Sequence, residues 1–136
     1  MNAALPKATL RKHERIKSRK LMEALFRSGA VLQDPPLRIT WLPLPQPGVL
    51  QVAVGVSARN FKKAVHRNRI KRLLREAYRL QKAPLQQALQ QRQQGLALFL
   101  LFTGRQLPEY SYLYKKTGQA LALLLQHLHA TPQNHT

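Results

Sequence analysis

The sequence predicts a single α/β domain, an α+β sandwich in which helices pack on a mostly antiparallel sheet. Three observations predict it. The chain has 136 residues, enough for one domain with its own core and too few for two. Apolar residues recur with period two at Leu37, Ile39 and Trp41 and again at Leu50, Val52, Val54 and Val56, and an unbroken apolar run spans Leu96 to Phe102. These are strand patterns. Around them lie apolar stripes at helical spacing, in the order helix, two or three strands, helix, a shorter helical piece, strand, helix.

Each element has a local cause. Residues 1–17 are basic and include Pro6, and read as a flexible segment ahead of a domain spanning residues 18–129. Ser18 is an N-cap for a short helix with Leu21, Met22, Leu25 and Phe26 on one face, and Gly29 is its stop. Strands follow at Leu37 to Leu44 and Val49 to Val56, and the proline-rich stretch Pro43 to Gly48 marks their connection. A long helix is expected from Phe61 to Leu80. Pro84 and Gly95 bracket a glutamine-rich helical piece carrying Leu85 and Leu89. A strand spans Leu96 to Thr103. After Pro108 comes a final helix with the stripe Leu113, Ala120, Leu121, Leu124, Leu125 and Leu128. Residues 130–136 read as a disordered tail.

Charge is the outlying property. Lys and Arg number 23 against five acids, a net charge of +18. Such an excess destabilises a compact chain by self-repulsion unless a polyanion neutralises it. Nucleic acid is the first candidate, an anionic membrane surface the second and an acidic protein the third. The charge is also concentrated. Residues 59–79 hold nine basic residues against Glu76 alone, and residues 1–28 hold eight against two acids, so these segments carry +14 of the +18. At about 100° per residue, Ile70, Leu73, Leu74 and Ala77 fall on one side of the long helix. Asn68, Arg72, Arg75 and Arg79 fall on the other, flanked by Arg69 and Lys71. Arginine dominates this comb, and its planar fork binds phosphate oxygens in pairs and stacks on bases. Composition does not separate RNA from DNA. A membrane-surface helix would set Trp or Phe opposite its basic face, and this one sets Ile, Leu and Ala there. Neither a helix-turn-helix nor a zinc module of a DNA reader is present.

The chain shows no catalytic or metal-binding constellation of its own. It has no cysteine, which excludes thiol chemistry and disulfides and suits a cytoplasmic protein. Glu14, Glu23, Asp34, Glu76 and Glu109 are scattered, and Glu76 reads as an intrahelical partner of its arginine neighbours. His127 and His129 lack an acidic partner and read as solvent-exposed, and His66 reads as an ordinary helix position. No phosphate-binding loop or nucleophile elbow appears. The N-terminus lacks the apolar run of a signal peptide, and the run from Leu96 to Phe102 is too short to span a bilayer. These features describe a protein that binds a partner rather than transforming it unaided.

One segment is specific. "NFKKAVHRNRIKRLLREAYR", Asn60 to Arg79, resembles the motif of the bacterial ribonuclease P protein family, with Lys63, Ala64, Val65, Arg67, Asn68, Arg69, Lys71, Arg72, Arg75, Glu76 and Arg79 at its fixed positions. The preceding "VAVGVSARNF" and the helix of Glu14 to Gly29 fit the same pattern, so the resemblance covers roughly residues 9–129. It implies a ribosomal-protein-like fold with a left-handed βαβ crossover, against the usual right-handed preference. It implies a protein that binds a catalytic RNA, the two together removing the 5′ leader of precursor tRNA, with Mg²⁺ held mainly by the RNA. By the resemblance, Arg67, Asn68, Arg69, Lys71, Arg72 and Arg75 contact the catalytic RNA, extended by Arg59, Lys62, Lys63 and Arg79. A leader cleft would comprise Lys17, Met22, Phe26, Arg38 and Thr40. The partners implied are that RNA and precursor tRNA, with no membrane and no obligate protein.

The chain departs from the family at two places. Met22 stands where many relatives carry an aromatic, and the turn before the motif reads Ser57-Ala58-Arg59, one positive charge short. Met22 and Phe26 suit either a cleft or a core, and the sequence leaves both readings open. The alternative function is a non-catalytic structural RNA-binding protein of ribosomal or RNA-chaperone type.

Overall fold

A computed structural model describes residues 12–130; the expectations for residues 1–11 and for the tail after Ala130 lie outside the described residues. After a single 3₁₀ turn at Lys12–Glu14, the elements are α1 (Arg19–Ser28), β1 (Ala30–Asp34), β2 (Leu37–Leu44), β3 (Leu50–Val56), α2 (Ala64–Gln81), α3 (Ala83–Gln91), β4 (Gly95–Phe102) and α4 (Tyr110–Ala130). The strands form one sheet in the order β1-β2-β4-β3. The pairs β1–β2 and β2–β4 are antiparallel, and β3–β4 is parallel, so α2 and α3 form the crossover of a βαβ unit.

The register sorts the side chains. Leu37, Ile39, Leu50, Val52, Leu96, Leu98, Leu100 and Phe102 share one face, joined in a continuous core by Ile70, Leu74 and Tyr78 of α2, Leu85 and Leu89 of α3, and Leu113, Ala120, Leu121, Leu124 and Leu128 of α4. The opposite face carries Arg38, Thr40, Ala53, Gly55, Phe99 and Leu101 in directly paired rows. There α1 packs, with Leu25 fully buried and Phe26 edge-on to Phe99 at 5.2 Å between ring centres.

Several sequence expectations need correction. The optional third strand is real: β1 pairs along its whole length with β2, and its five-residue AVLQD segment lacked the length to stand out. Pro43 lies inside β2, paired with Leu96, at a point where β1 has already ended at Ala30–Trp41. Among the described residues no strand pairs with that stretch of β2 on its other side, so the missing N–H of proline is tolerated. Helix α2 starts at Ala64 rather than Phe61, because the amides of Asn60 and Phe61 donate to Ser57 O in a separate turn (3.1 and 3.2 Å). Ser18 caps α1 as expected, accepting from Leu21 N, but Gly29 stops it for another reason. Its φ is −72°, open to any residue. What excludes a side chain is space: a Cβ would stand 2.5 Å from Leu25 O and 2.7 Å from Thr40 Cγ2.

Residues 12–17, read from sequence as part of a flexible segment, are tied to the domain. Ile16 N donates to Val52 O (2.9 Å), and Arg15 bridges Val52 in parallel beside β3, extending the sheet edge. Glu14 forms an ion pair with Lys82 at the α2–α3 junction, with side chains only 12% and 6% exposed.

Candidate RNA interface

Helix α2 buries Ile70, Leu74, Ala77 and Tyr78, and its remaining faces carry the charge. Arg59, Lys62 and Lys63 in the turn before it, and Asn68, Arg69 and Arg72 on it, are exposed. Lys71, Arg75 and Arg79 are half-buried at its flanks. These positions divide by what their side chains touch. Arg67 donates from one terminal nitrogen to the carbonyls of Phe61 (2.9 Å) and Lys62 (2.7 Å), closing the turn that leads into the helix. Arg79 donates to Glu76 through Nε (2.9 Å) and a terminal nitrogen (2.5 Å), the intrahelical pair expected for Glu76. That bond holds the Glu76 carboxyl below its ordinary range and lifts Arg79 above its own.

Arg75 joins two parts of the surface that are distant in sequence. With Arg15, Ile16, Lys17 and the backbone of β3 from Val52 to Val54, it lines a cavity of about 140 Å³. Burial lowers the Arg75 pKa, and the charge of Arg15 lowers it further. The fold therefore sets like charges side by side, an arrangement that costs stability and is relieved by an anionic ligand. Lys17, placed by the resemblance in the leader cleft, lines this same cavity.

On the opposite sheet face the aromatic part of the cleft is open. Phe26 is 62% exposed, so the core reading does not hold for it. Met22 is half-buried. Arg38 is exposed, in the row with Leu101 and Gly55. Thr40 is only 8% exposed, packed beneath the end of α1 at Gly29. So covered, it is not open to a ligand. Phe99, directly opposite Thr40 and Ala53, brings its ring to Phe26 on this face, a neighbour that the sequence did not single out. Its ring lies over Gly55, where a Cβ would meet it at 2.7 Å. The available signal was that the Leu96 to Phe102 run is apolar on both faces, although the second face has only one short helix to cover it.

Among the described residues, no three His, Asp or Glu side chains converge to hold a metal ion. His127 stacks edge-on against Trp41 at 6.0 Å. No described helix is long and apolar enough to cross a membrane. A family model for ribonuclease P matches residues 10–122. The chain belongs to the ribonuclease P protein family. Similar proteins are the ribonuclease P protein components of Porphyromonas gingivalis, 35% identical over 107 residues (77% of this chain, 78% of the relative), and of Chlorobium phaeobacteroides, 41% identical over 83 residues (57% and 56%). The solved structure of Staphylococcus aureus RNase P protein superposes with a TM-score of 0.63 over 83% of this chain and 96% of that one. At 16% identity that likeness establishes the fold. As a member of the family, the protein binds RNA and is a subunit of ribonuclease P, a tRNA-processing endoribonuclease whose other component is an RNA.

Proposed function

We propose that this chain docks on the catalytic RNA of ribonuclease P through the exposed side chains Arg59, Lys62, Lys63, Asn68, Arg69 and Arg72, with Lys71, Arg75 and Arg79 at the flanks. The 5′ leader of precursor tRNA crosses the other sheet face, where Phe26 and Phe99 offer aromatic surface and Arg38 a cation, with Lys17 at the adjoining Arg15–Arg75 cavity. Met22 and Thr40 shape that groove. The RNA carries out phosphodiester hydrolysis with Mg²⁺ that it holds itself, and the protein contributes charge, shape and a single-strand groove in the cytoplasm.

One observation carries this reading. The basic segments at residues 15–17 and 59–79 meet at the Arg15–Arg75 cavity, next to a sheet face whose most exposed aromatic, Phe26, leaves 62% of its surface open. Single-stranded RNA is bound by such a pairing of cationic track and stacking surface. Reconstitution tests it: the purified chain, the transcribed cognate RNA and labelled precursor tRNA are combined at low Mg²⁺. The expected result is 5′ maturation stimulated by the protein. Absence of stimulation would favour a structural RNA-binding role instead.

A further inference from the structure

A second cavity, of about 560 Å³, lies at the other end of α2's leading turn, in the loop between β4 and α4. Its floor is Pro36 and the buried ring of Phe102. The loop above is held in place at its start: Thr103 donates to Pro36 O through both its amide (2.8 Å) and its hydroxyl (3.1 Å). The Asn60 side chain donates to the carbonyls of Thr103 (3.1 Å) and Gly104 (3.2 Å), fastening this loop to the turn that carries Arg59 and Lys62. The cavity is thus preformed and adjoins the basic start of α2.

Its lining has a distinct chemistry. Leu107 and Tyr112 are 45% and 46% exposed and present apolar surface at the cavity. Around them stand Arg105, Gln106 and Glu109, which offer donors, an amide and a carboxylate acceptor. Glu109 makes the site a poor holder for phosphate alone. Flat apolar walls with mixed donors and acceptors suit a nucleobase, whose faces are apolar and whose edge is polar. Lys116 Nζ lies over the Tyr112 ring, 5.7 Å from its centre, so a cation accompanies that wall.

We propose that this cavity captures an unpaired nucleotide, its base stacked on Tyr112 against Leu107, its edge read by Gln106 and Glu109, and its backbone met by Arg105 and Lys116. The inference rests on the RNA-binding reading above and adds a contact outside both the α2 comb and the Phe26 groove. A base in a duplex presents neither a free face nor a free pairing edge, so the occupant is single-stranded. It comes either from the catalytic RNA or from the precursor, and the experiment separates the two sources.

Full-length wild type, Tyr112→Ala, Tyr112→Phe and Leu107→Ala are titrated against the catalytic RNA, and the resulting holoenzymes against precursor tRNA, at several salt concentrations with thermal unfolding alongside. Tyr112→Ala is expected to bind one of the two RNAs about tenfold more weakly, the size of one lost stack. Its salt slope stays unchanged because no cation is removed. Leu107→Ala shares the loss and Tyr112→Phe, which keeps the ring, binds like wild type. The RNA whose affinity falls is the source of the base. Wild-type affinity of Tyr112→Ala for both RNAs overturns the inference, as does a loss that follows a lowered melting temperature and is not shared by Leu107→Ala. Failure of the wild type itself to bind either RNA sinks the ribonuclease P reading instead.

Discussion

Arg67 points its guanidinium at the Phe61 and Lys62 carbonyls, whereas Arg69 and Arg72, within two turns of it, are exposed on the helix surface. Their replacements should therefore behave differently. Arg67→Ala removes two bonds from a charged donor in a half-buried turn and is expected to cost about 1–2 kcal/mol of stability after allowing for solvent screening, read from chemical denaturation. Arg69→Ala and Arg72→Ala should leave stability within about 0.5 kcal/mol of wild type. They should instead weaken catalytic-RNA binding and make its logarithmic salt dependence shallower by about one unit per lost phosphate contact. An unchanged slope in both would remove the comb from the interface. Phe26→Ala tests the other face. Because the ring is 62% exposed, folding should survive, while precursor affinity falls by about 1–3 kcal/mol and catalytic-RNA affinity holds. A collapse in melting temperature would return Phe26 to the core.

At the level of elements, the contact between the N-terminal segment and the α2–α3 junction depends on a buried ion pair. Glu14 and Lys82 are 68 residues apart and almost inaccessible. Removing one partner leaves the other charge buried and uncompensated, which costs about 3–5 kcal/mol, whereas replacing both with apolar or neutral groups costs far less. Lys82→Ala should accordingly lower stability by that amount in urea titrations. The double variant Glu14→Gln with Lys82→Met should regain most of it. Equal losses in the single and double variants would show that the pair does not couple. The pair anchors the segment whose Arg15 and Lys17 line a cavity with Arg75.

For the whole molecule the governing quantity is the +18 charge, which an RNA partner neutralises and which, on the proposed function, lowers the repulsion between that RNA and a docked precursor. Activity with the cognate RNA should therefore become less dependent on the protein as Mg²⁺ rises well above physiological levels. Equal dependence at low and high Mg²⁺ would contradict that account. The charge, its confinement to two segments and the helix and strand periods were legible in the sequence, since each is a property of residue type at local spacing. The motif from Lys63 to Arg79 named the family for the same reason. Local spacing could not reveal partners brought together by the sheet. Phe99 reaches Phe26 through the register of β2, β4 and β3. Thr40, polar and strand-borne, is covered because α1 ends on it. Arg75 meets Arg15 only because the chain before α1 runs along the edge of β3. Residue order alone made legible a basic α/β protein of an RNA-binding family with an arginine-faced helix. Only the folded arrangement set which arginines bond within the chain and which stay exposed, because burial and hydrogen-bond partners across the sheet depend on contacts between residues far apart in the chain.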